Sequence, residues 1–123
     1  MNKENVLEKK YKESQDVIFM IEVLEYIWNP VQCFRNIYLL LKPGGICYFS
    51  AHFTYPVHNP VEQDYLRYTP RGCQKLLEET GFKIEDIEPR LITQDITRID
   101  GMRPAKKYDK HNWSGCLIKC RKF

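Results

Sequence analysis

The sequence predicts an α/β protein with a small mixed, mainly parallel sheet and flanking helices. Short apolar segments rich in β-branched and aromatic residues alternate with segments of helical periodicity, and the connections between them are mostly short. The 123 residues, 43% of them hydrophobic, suffice for one domain with its own core. The longest clean apolar run is five residues, whereas a bilayer span needs about 20, so no membrane segment is predicted.

The amino-terminal part divides into a polar leader and a first strand. Residues 1–15 are polar and predict a frayed helix or a flexible leader, and the domain proper is expected over residues 16–123. Residues 17–21 follow Asp16 as a continuous apolar run, which is typical of a strand buried on both faces. We predict the first strand there.

A helix and a second strand are expected next. Asn29, Pro30 and Gln32 predict a helix start with a side-chain cap, in which the glutamine reaches back to the cap. The helix should run to about residue 41, where Pro-Gly-Gly ends it, and residues 46–51 predict a strand parallel to the first. Its apolar stripe should consist of Phe34, Ile37, Tyr38 and Leu41.

The second half of the chain predicts a long loop, a helix and two strands. Residues 52–68 form the loop, and loops of that length are usually functional. Thr69 and Pro70 open the helix and Gly81 closes it. A strand from residue 82 to about 88 should end at Pro89, residues 90–112 should be irregular, and residues 116–120 should form the last strand. The buried helix face should contain Cys73, Leu76, Leu77 and Thr80.

Several motifs in this order resemble class I S-adenosylmethionine-dependent methyltransferases. They are EVLEYI at residues 22–27, LLKPGG at 40–45, QDYLRYTP at 63–70 and LLEETGF at 76–82. The resemblance extends from about residue 14 to the end. It covers only the carboxy-terminal half of that Rossmann-like fold, namely strands four to seven with their helices.

The resemblance implies S-adenosylmethionine as cofactor, but the residues that hold it belong to the other half of the fold. There, a glycine-rich turn lets the backbone approach the cofactor, and an acidic residue binds the ribose hydroxyls. This sequence has six glycines and no G-x-G, and a complete fold needs on the order of 150 residues. The isolated chain is therefore expected to bind the cofactor weakly or not at all, and to need a complementing half for methyl transfer.

By the same resemblance, Glu22 and Tyr26 would lie beside the methionine end of the cofactor. The family usually has a histidine at the position of Tyr26, so one candidate base is missing here. His52 and His58 are the candidates for removing the acceptor's proton, because imidazole can accept a proton near neutral pH. The residues expected to cover a small-molecule or other acceptor are Tyr55, Asp64, Tyr65, Arg67 and Tyr68.

Purely structural roles remain open for these residues. His52 could be a hydrogen-bonded residue at a strand end, and Glu22 and Glu25 could be solvated acids. The QDYLRYTP segment could anchor a loop, with Arg67 paired to Asp64 and both tyrosines packed on the sheet.

A missing first half would leave the strand at residues 17–21 as an apolar edge, which templates pairing with another chain. We expect a homodimer, shielding by residues 1–15, or a second polypeptide that supplies the other half. The alternative function is a non-catalytic remnant or interaction module that dimerises through this edge.

The remaining features exclude more than they suggest. Five cysteines, an odd number, indicate reduced thiols in a cytoplasmic protein. His111, Cys116 and Cys120 match no common zinc spacing, so no metal site is predicted. Residues 101–123 carry seven basic residues and one acid, which leaves nucleic-acid binding open, although a solvated surface is favoured.

Overall fold

The structure is a computed structural model that describes residues 9–53, 55–57, 59–91 and 113–123. Four strands and two helices make up its regular elements. In chain order they are β1 (Gln15–Ile21), α1 (Pro30–Leu40), β2 (Leu41–His52), α2 (Pro70–Glu79), β3 (Lys83–Leu91) and β4 (Trp113–Arg121). Two short 3-10 turns, Leu24–Tyr26 and Val61–Gln63, lie in the connections. Residues 9–11 are helical, and β1 begins at the last residue of the predicted leader.

The four strands form one mixed sheet in the order β1-β2-β4-β3. β1 pairs with β2 in parallel, whereas β4 is antiparallel to both of its neighbours, β2 and β3. Consequently β1, β2 and β3 run in one direction, and their carboxyl ends meet at the same edge of the sheet. The predicted α/β class with a small mixed sheet is confirmed.

The first helix begins as the sequence predicts. The Oδ1 atom of Asn29 accepts a hydrogen bond from the backbone N–H of Gln32 at 3.1 Å, and Pro30 occupies the first helical position. The side chain of Gln32, however, donates to Asn36 at 3.0 Å instead of reaching back to the cap. The predicted stripe is confirmed within the helix, because Phe34 and Ile37 are buried and Tyr38 packs against the core, whereas Leu41 is buried as the first residue of β2.

The junction of α1 and β2 differs from the prediction. The helix ends at Leu40 and the strand starts at Leu41, before the Pro-Gly-Gly sequence. The register shifts between Gln15 and Val17, which pair with Leu41 and Ile46, so the intervening residues form an irregular stretch within the strand. Gly44 lies in it at a φ of +81°, a conformation that other residues resist.

The second helix matches its prediction, but β3 does not end where expected. The Oγ1 atom of Thr69 caps α2 by accepting from the N–H of Gly72 at 3.0 Å, and Gly81 follows the helix at a φ of +97°. The four residues predicted to be buried on α2 are buried. The expectation that Pro89 ends β3 is wrong, because β3 continues to Leu91. Proline is tolerated there since β3 is an edge strand of the described sheet, with β4 on one side only.

The core lies between one face of the sheet and both helices. The ring of Phe34 on α1 packs edge-on against Phe49 of β2, with centroids 5.1 Å apart, and also against Phe82. All five cysteines are free thiols, and four of them are buried in this layer. Phe19 and Leu117, which are 69% and 51% exposed, lie on strands of the same sheet but outside this core.

Candidate functional site

Three charged or titratable side chains meet where the three parallel strands end. Glu22 directly follows β1, His52 is the last residue of β2, and Arg90 is the penultimate residue of β3. Because these strands run in one direction, residues far apart in sequence come to the same edge of the sheet. In open α/β sheets, ligands bind at this carboxyl edge.

The carboxylate of Glu22 is the centre of this cluster. Its Oε2 atom lies 2.9 Å from Nδ1 of His52, and its Oε1 atom accepts a hydrogen bond from Nη1 of Arg90. The backbone of Glu22 is in the left-handed region, at a φ of +52°. Its N–H donates to the hydroxyl of Ser50 at 3.1 Å. These contacts stabilise an uncommon backbone conformation for a non-glycine residue and fix the direction of the carboxylate.

Tyr55 covers the cluster. Its ring centroid is 4.8 Å from that of His52, and the guanidinium of Arg90 lies 5.3 Å from the same tyrosine ring. His52 is only 5% exposed. The ring of Tyr55 therefore contributes to the shielding of the imidazole from solvent.

Gly115 of β4 makes the close approach of His52 and Arg90 possible. It pairs with His52 on one side and Arg90 on the other, so the three residues form one row across the sheet. A Cβ atom on Gly115 would lie 2.2 Å from the carbonyl oxygen of Ala51. The adjacent hydroxyl of Ser114 donates to the carbonyl of Arg90 at 2.8 Å and holds the end of β3 in place.

A second group of polar residues anchors the loop after β2. Nη2 of Arg67 donates to Oδ2 of Asp64 at 2.7 Å, and Nη1 donates to Oδ1 of the same carboxylate. The Asp64 side chain is fully buried and that of Arg67 is 21% exposed. The hydrogen bonds to Asp64 raise the pKa of Arg67 above its usual value. Arg67 also donates to the carbonyl of Pro56 at 3.3 Å, so this pair joins two stretches of the loop.

Tyr26 belongs to this second group. Its hydroxyl donates to the carbonyl of Asn59 at 2.9 Å. Desolvation raises the pKa of the Tyr26 phenol, and the carboxylates of Glu25 and Asp64 raise it further. Glu25 is buried, only 3% exposed, and its backbone carbonyl accepts from the N–H of Tyr65 at 2.8 Å. The interpretation of Glu25 as a solvated acid is therefore wrong.

The two tyrosines of the QDYLRYTP segment have different environments. Tyr68 is half-buried against the core, and desolvation raises the pKa of its phenol. Tyr65 is 48% exposed and meets Trp28 edge-on, with ring centroids 5.7 Å apart. The expectation that both pack on the sheet thus holds for Tyr68 only, whereas the expected pairing of Arg67 with Asp64 is present.

Six of the sequence-derived candidates accordingly separate into two groups. Glu22, His52 and Tyr55 form one, and Tyr26, Asp64 and Arg67 form the other. The site also contains three residues that were not predicted from the sequence, namely Arg90, Ser114 and Gly115. Arg90 could have been found by extending the alternation of side chains in β3 past Pro89. That alternation places Arg90 on the same face of the strand as Glu88. His58 lies outside the described residues.

Metal and anion binding receive little support from the described residues. Within them, no cluster of three or more His, Cys, Asp or Glu side chains could hold a metal ion. His111 and four basic residues of the tail lie outside the described ranges. Of the other three, Lys119 and Arg121 pair with Glu85. Lys122 is buried and donates to the carbonyl of Leu41 at 2.9 Å.

The residues present do not by themselves fit the cofactor that the resemblance implies. The sequence has no glycine-rich G-x-G turn, and the Glu22 carboxylate already binds Arg90 and His52. The methionine end of the cofactor would have to compete with these charged partners for the same oxygens. The oxygens of the Glu22 carboxylate are therefore already engaged within the described site.

Comparisons with known proteins agree with this architecture. The family model of a methyltransferase domain matches residues 3–49. No curated protein matches the chain. Among the described helices, none has the length and apolar character needed to cross a membrane.

Three solved structures illustrate the structural similarity. An S-adenosylmethionine-dependent methyltransferase from Mesorhizobium loti is 17% identical, with a TM-score of 0.61 over 94% of this chain and 67% of its own. A possible histamine N-methyltransferase from Thermotoga maritima is 15% identical, with a TM-score of 0.63 over 91% and 57%. The third structure is a Haloferax volcanii complex of a methyltransferase activator and a putative methyltransferase. It is 15% identical, with a TM-score of 0.62 over 90% of this chain and 55% of its own.

These similarities define the fold as that of the S-adenosylmethionine-dependent methyltransferases. More particularly, this chain has the part of the fold that contains the sheet order β1-β2-β4-β3 and the two helices α1 and α2. The chain spans between about half and two thirds of the length of the solved structures it matches.

Proposed function

We propose that this chain is the acceptor-side half of an S-adenosylmethionine-dependent methyltransferase and transfers a methyl group only with a complementing half. The observation that carries the proposal is that a solved methyltransferase structure covers nearly all of this chain, whereas this chain covers only part of that structure. The Mesorhizobium loti methyltransferase accounts for 94% of this chain, yet the chain accounts for 67% of that protein. The absence of G-x-G from the sequence supports the view that cofactor-binding groups come from the remainder.

Each candidate residue has a proposed role in this arrangement. Glu22 and Tyr26 would border the methionine end of S-adenosylmethionine once the other half is in place. Tyr55 and Tyr65 would contact the acceptor, which we take to be a small molecule, from the loop after β2. Asp64 and Arg67 would fix that loop, with Tyr68 anchoring its end in the core. The T-shaped pair of Trp28 and Tyr65 provides an exposed aromatic surface for such an acceptor.

His52 is the candidate proton acceptor for which the structure offers geometric support, and His58 remains a second candidate. The Glu22 carboxylate beside Nδ1 of His52 favours the tautomer that carries the proton on Nδ1. In that tautomer Nε2 is the basic nitrogen. Movement of Tyr55 would open a path from the acceptor's proton to this atom.

The assembly we propose is cytoplasmic and heteromeric or homodimeric, formed through the edge of β1. The Haloferax volcanii methyltransferase was solved in a complex with an activator, so a partner chain is compatible with this fold. Nucleic acid is a less favoured partner because Lys119, Arg121 and Lys122 are engaged within the protein.

The alternative is a non-catalytic remnant or interaction module that dimerises through β1. One observation favours it: β1 pairs only with β2 in the described sheet, and Val17, Phe19 and Ile21 along it are all exposed. Exposed apolar edge strands promote association with other chains.

Calorimetric titration of the full chain with S-adenosylmethionine and S-adenosylhomocysteine distinguishes the two functions. We expect no saturable binding by the chain alone, and binding with a Kd on the order of micromolar after addition of a complementing half. The polypeptide encoded immediately upstream of this chain is the first half to test. Failure of the complemented chain to bind either compound would favour the interaction module, and tight binding by the chain alone would refute the need for complementation.

A further inference from the structure

Two pairs of buried thiols lie in the core and take no part in the candidate site. Cys47 of β2 contacts Cys120 of β4, and Cys73 of α2 contacts Cys116 of β4. Each of these four residues is at most 1% exposed. The pair of Cys47 and Cys120 differs from the other because the register of the sheet places its two residues directly opposite each other.

Cys47 and Cys120 occupy a hydrogen-bonded position of the antiparallel ladder. Two residues further along each strand, the N–H of Lys122 donates to the carbonyl of Gly45 at 2.9 Å. Hydrogen-bonded and wide pairs alternate along antiparallel strands, so a step of two residues returns to a hydrogen-bonded pair. The Cα atoms of such a pair are about 5.5 Å apart. Disulfides bridge Cα separations of about 4.4–6.8 Å, so the backbone already allows this bond.

The two thiols also interact with each other. Sγ of Cys120 lies 3.4 Å from the carbonyl oxygen of Cys47, and the two side chains are hydrogen-bonded. This hydrogen bond stabilises the thiolate of Cys47 and lowers its pKa, although desolvation opposes the effect. The same contact raises the pKa of Cys120. Because the thiolate is the reactive form of cysteine, Cys47 is the nucleophile of the pair.

We propose that Cys47 and Cys120 are a modification site, at which hydrogen peroxide or another hydroperoxide forms a reversible disulfide. The Cys47 sulfur attacks one peroxide oxygen, which breaks the O–O bond, releases water and leaves a sulfenic acid on Cys47. The Cys120 sulfur then forms the S–S bond and displaces the sulfenic oxygen as a second water. The two thiols lose two electrons and two protons, and one hydrogen peroxide is reduced to two waters.

The strand geometry makes this disulfide easy to reduce again. The Cβ atoms of directly opposed residues are about 4.5–5.5 Å apart, whereas a disulfide holds them at about 3.5–4.5 Å. The bond therefore forms only with a local adjustment of β2 and β4, and strained disulfides are the more readily reduced ones. An excess of a small thiol should return both cysteines to the reduced form.

The disulfide would fasten the part of the chain that carries most of the candidate site. It closes a loop over residues 48–119, which includes His52, Arg67 and Arg90. A crosslink across a long loop restricts the unfolded chain and thereby stabilises the folded one. This site goes beyond the proposed methyl transfer and does not depend on it.

Oxidation of the full chain with hydrogen peroxide tests the inference, with Cys33→Ser as the starting variant so that the half-buried thiol does not react separately. Mass spectrometry should show the loss of two hydrogen atoms, and peptide mapping should join Cys47 to Cys120. Dithiothreitol should restore the original mass. The inference is overturned if the folded chain does not react, if it only gains oxygen, or if the disulfide joins other cysteines.

A matched pair of further substitutions in the same background identifies the residues. Cys120→Ala should abolish the disulfide and leave a sulfenic acid on Cys47 that dimedone traps. Cys116→Ala is the control, because Cys116 is also a buried residue of β4 with a thiol neighbour, and it should leave the disulfide intact. Loss of the disulfide in both variants would refute the assignment.

Thermal unfolding of the oxidised and reduced forms provides a measurement that needs no substitution in the pair itself. The midpoint of the oxidised form should be higher by about 5 °C or more, because the crosslink restricts the unfolded chain. An unchanged or lower midpoint would refute the fastening role.

Discussion

At the scale of single residues, the candidate site consists of two charge clusters, one formed from distant parts of the chain and one formed within a single loop. Glu22 and Arg90 are 68 residues apart in sequence yet share a hydrogen bond. Asp64 and Arg67 are three residues apart and pair in a buried position. The first pair depends on the order of the strands, whereas the second forms within one loop, so the two should respond differently to substitution.

Glu22→Gln should lower stability by about 1 kcal/mol, because it removes the charge that Arg90 and His52 share at a site that is 34% exposed. The measurement is urea unfolding of the full chain. The variant should also weaken the preference of His52 for a proton on Nδ1, which nitrogen NMR of the imidazole reports. An unchanged tautomer would contradict the orienting role of Glu22. Glu62→Gln in the exposed 3-10 turn is the control.

Arg67→Ala should lower the free energy of unfolding by about 3 kcal/mol, because it leaves the fully buried Asp64 carboxylate without its cation. Urea unfolding of the full chain is the measurement. Arg71→Ala is the matched control. Arg71 also pairs with a carboxylate, but its side chain is 70% exposed, so its loss should change the free energy of unfolding by less than about 0.5 kcal/mol. Similar costs for both variants would show that the Asp64 pair does not anchor the loop.

At the scale of secondary-structure elements, the two helices follow local rules, and the strands depend on their neighbours. Asn29 and Thr69 cap helices with side-chain oxygens, and both helices have proline in the first turn. β3 continues through Pro89 because it lies at the edge of the described sheet. That position is determined by which strands pair with each other, and the residues of β3 alone do not specify it.

Gly115→Ala tests the packing of β4 against β2. The added methyl group would lie 2.2 Å from a backbone oxygen, so the two strands would have to separate. We expect the free energy of unfolding to fall by more than about 3 kcal/mol, or the chain to fail to fold. Gly44→Ala is a milder control. That position has open space around it but a φ of +81°, for which a penalty of about 1 kcal/mol is expected. Comparable losses in thermal unfolding would contradict the close contact at Gly115.

Thr69→Ala should destabilise the chain by about 1 kcal/mol, because the N–H of Gly72 loses its side-chain acceptor. Thr69→Ser keeps an oxygen at the same place and should retain most of the stability. Urea unfolding of both variants provides the measurement, and a full loss in the serine variant would argue against a capping role.

At the scale of the whole molecule, the described residues form one sheet with both helices on one face, and on the other face Val17, Phe19 and Leu117 are exposed. The buried layer contains Cys47, Cys73, Cys116 and Cys120, each at most 1% exposed. Cys33 is half-buried, and desolvation raises the pKa of its thiol.

Thiol labelling therefore reports on the integrity of this layer. With a disulfide reagent at mildly alkaline pH, Cys33 should react first and its rate should increase with pH, because a raised pKa leaves little thiolate near neutrality. The other four thiols should react only as fast as the chain opens. Rapid labelling of two or more thiols in the native chain would contradict the packing described, and Cys33→Ser should abolish the fast phase.

Much of the fold was predictable because its determinants are local. The caps at Asn29 and Thr69, the buried helix faces and the strand at residues 17–21 follow from short-range patterns. The expected burial of that strand on both faces is wrong for the described residues, because Val17, Phe19 and Ile21 are exposed. The end of β3 and the start of β2 were not predictable, since each depends on pairing with a strand that is distant in sequence. Of the site, the Asp64–Arg67 pair was considered from sequence spacing, whereas the part played by Arg90 was missed.

The sequence by itself determined the class of the fold, the positions of the helices and the apolar character of β1, because periodicity and capping act over a few residues. Only the tertiary structure decided that Glu22, His52 and Arg90 meet, and that α1 and α2 pack on the same face of the sheet. The physical reason is that register and strand order are set by backbone hydrogen bonds between segments far apart in the chain, and local residue patterns do not specify those partners.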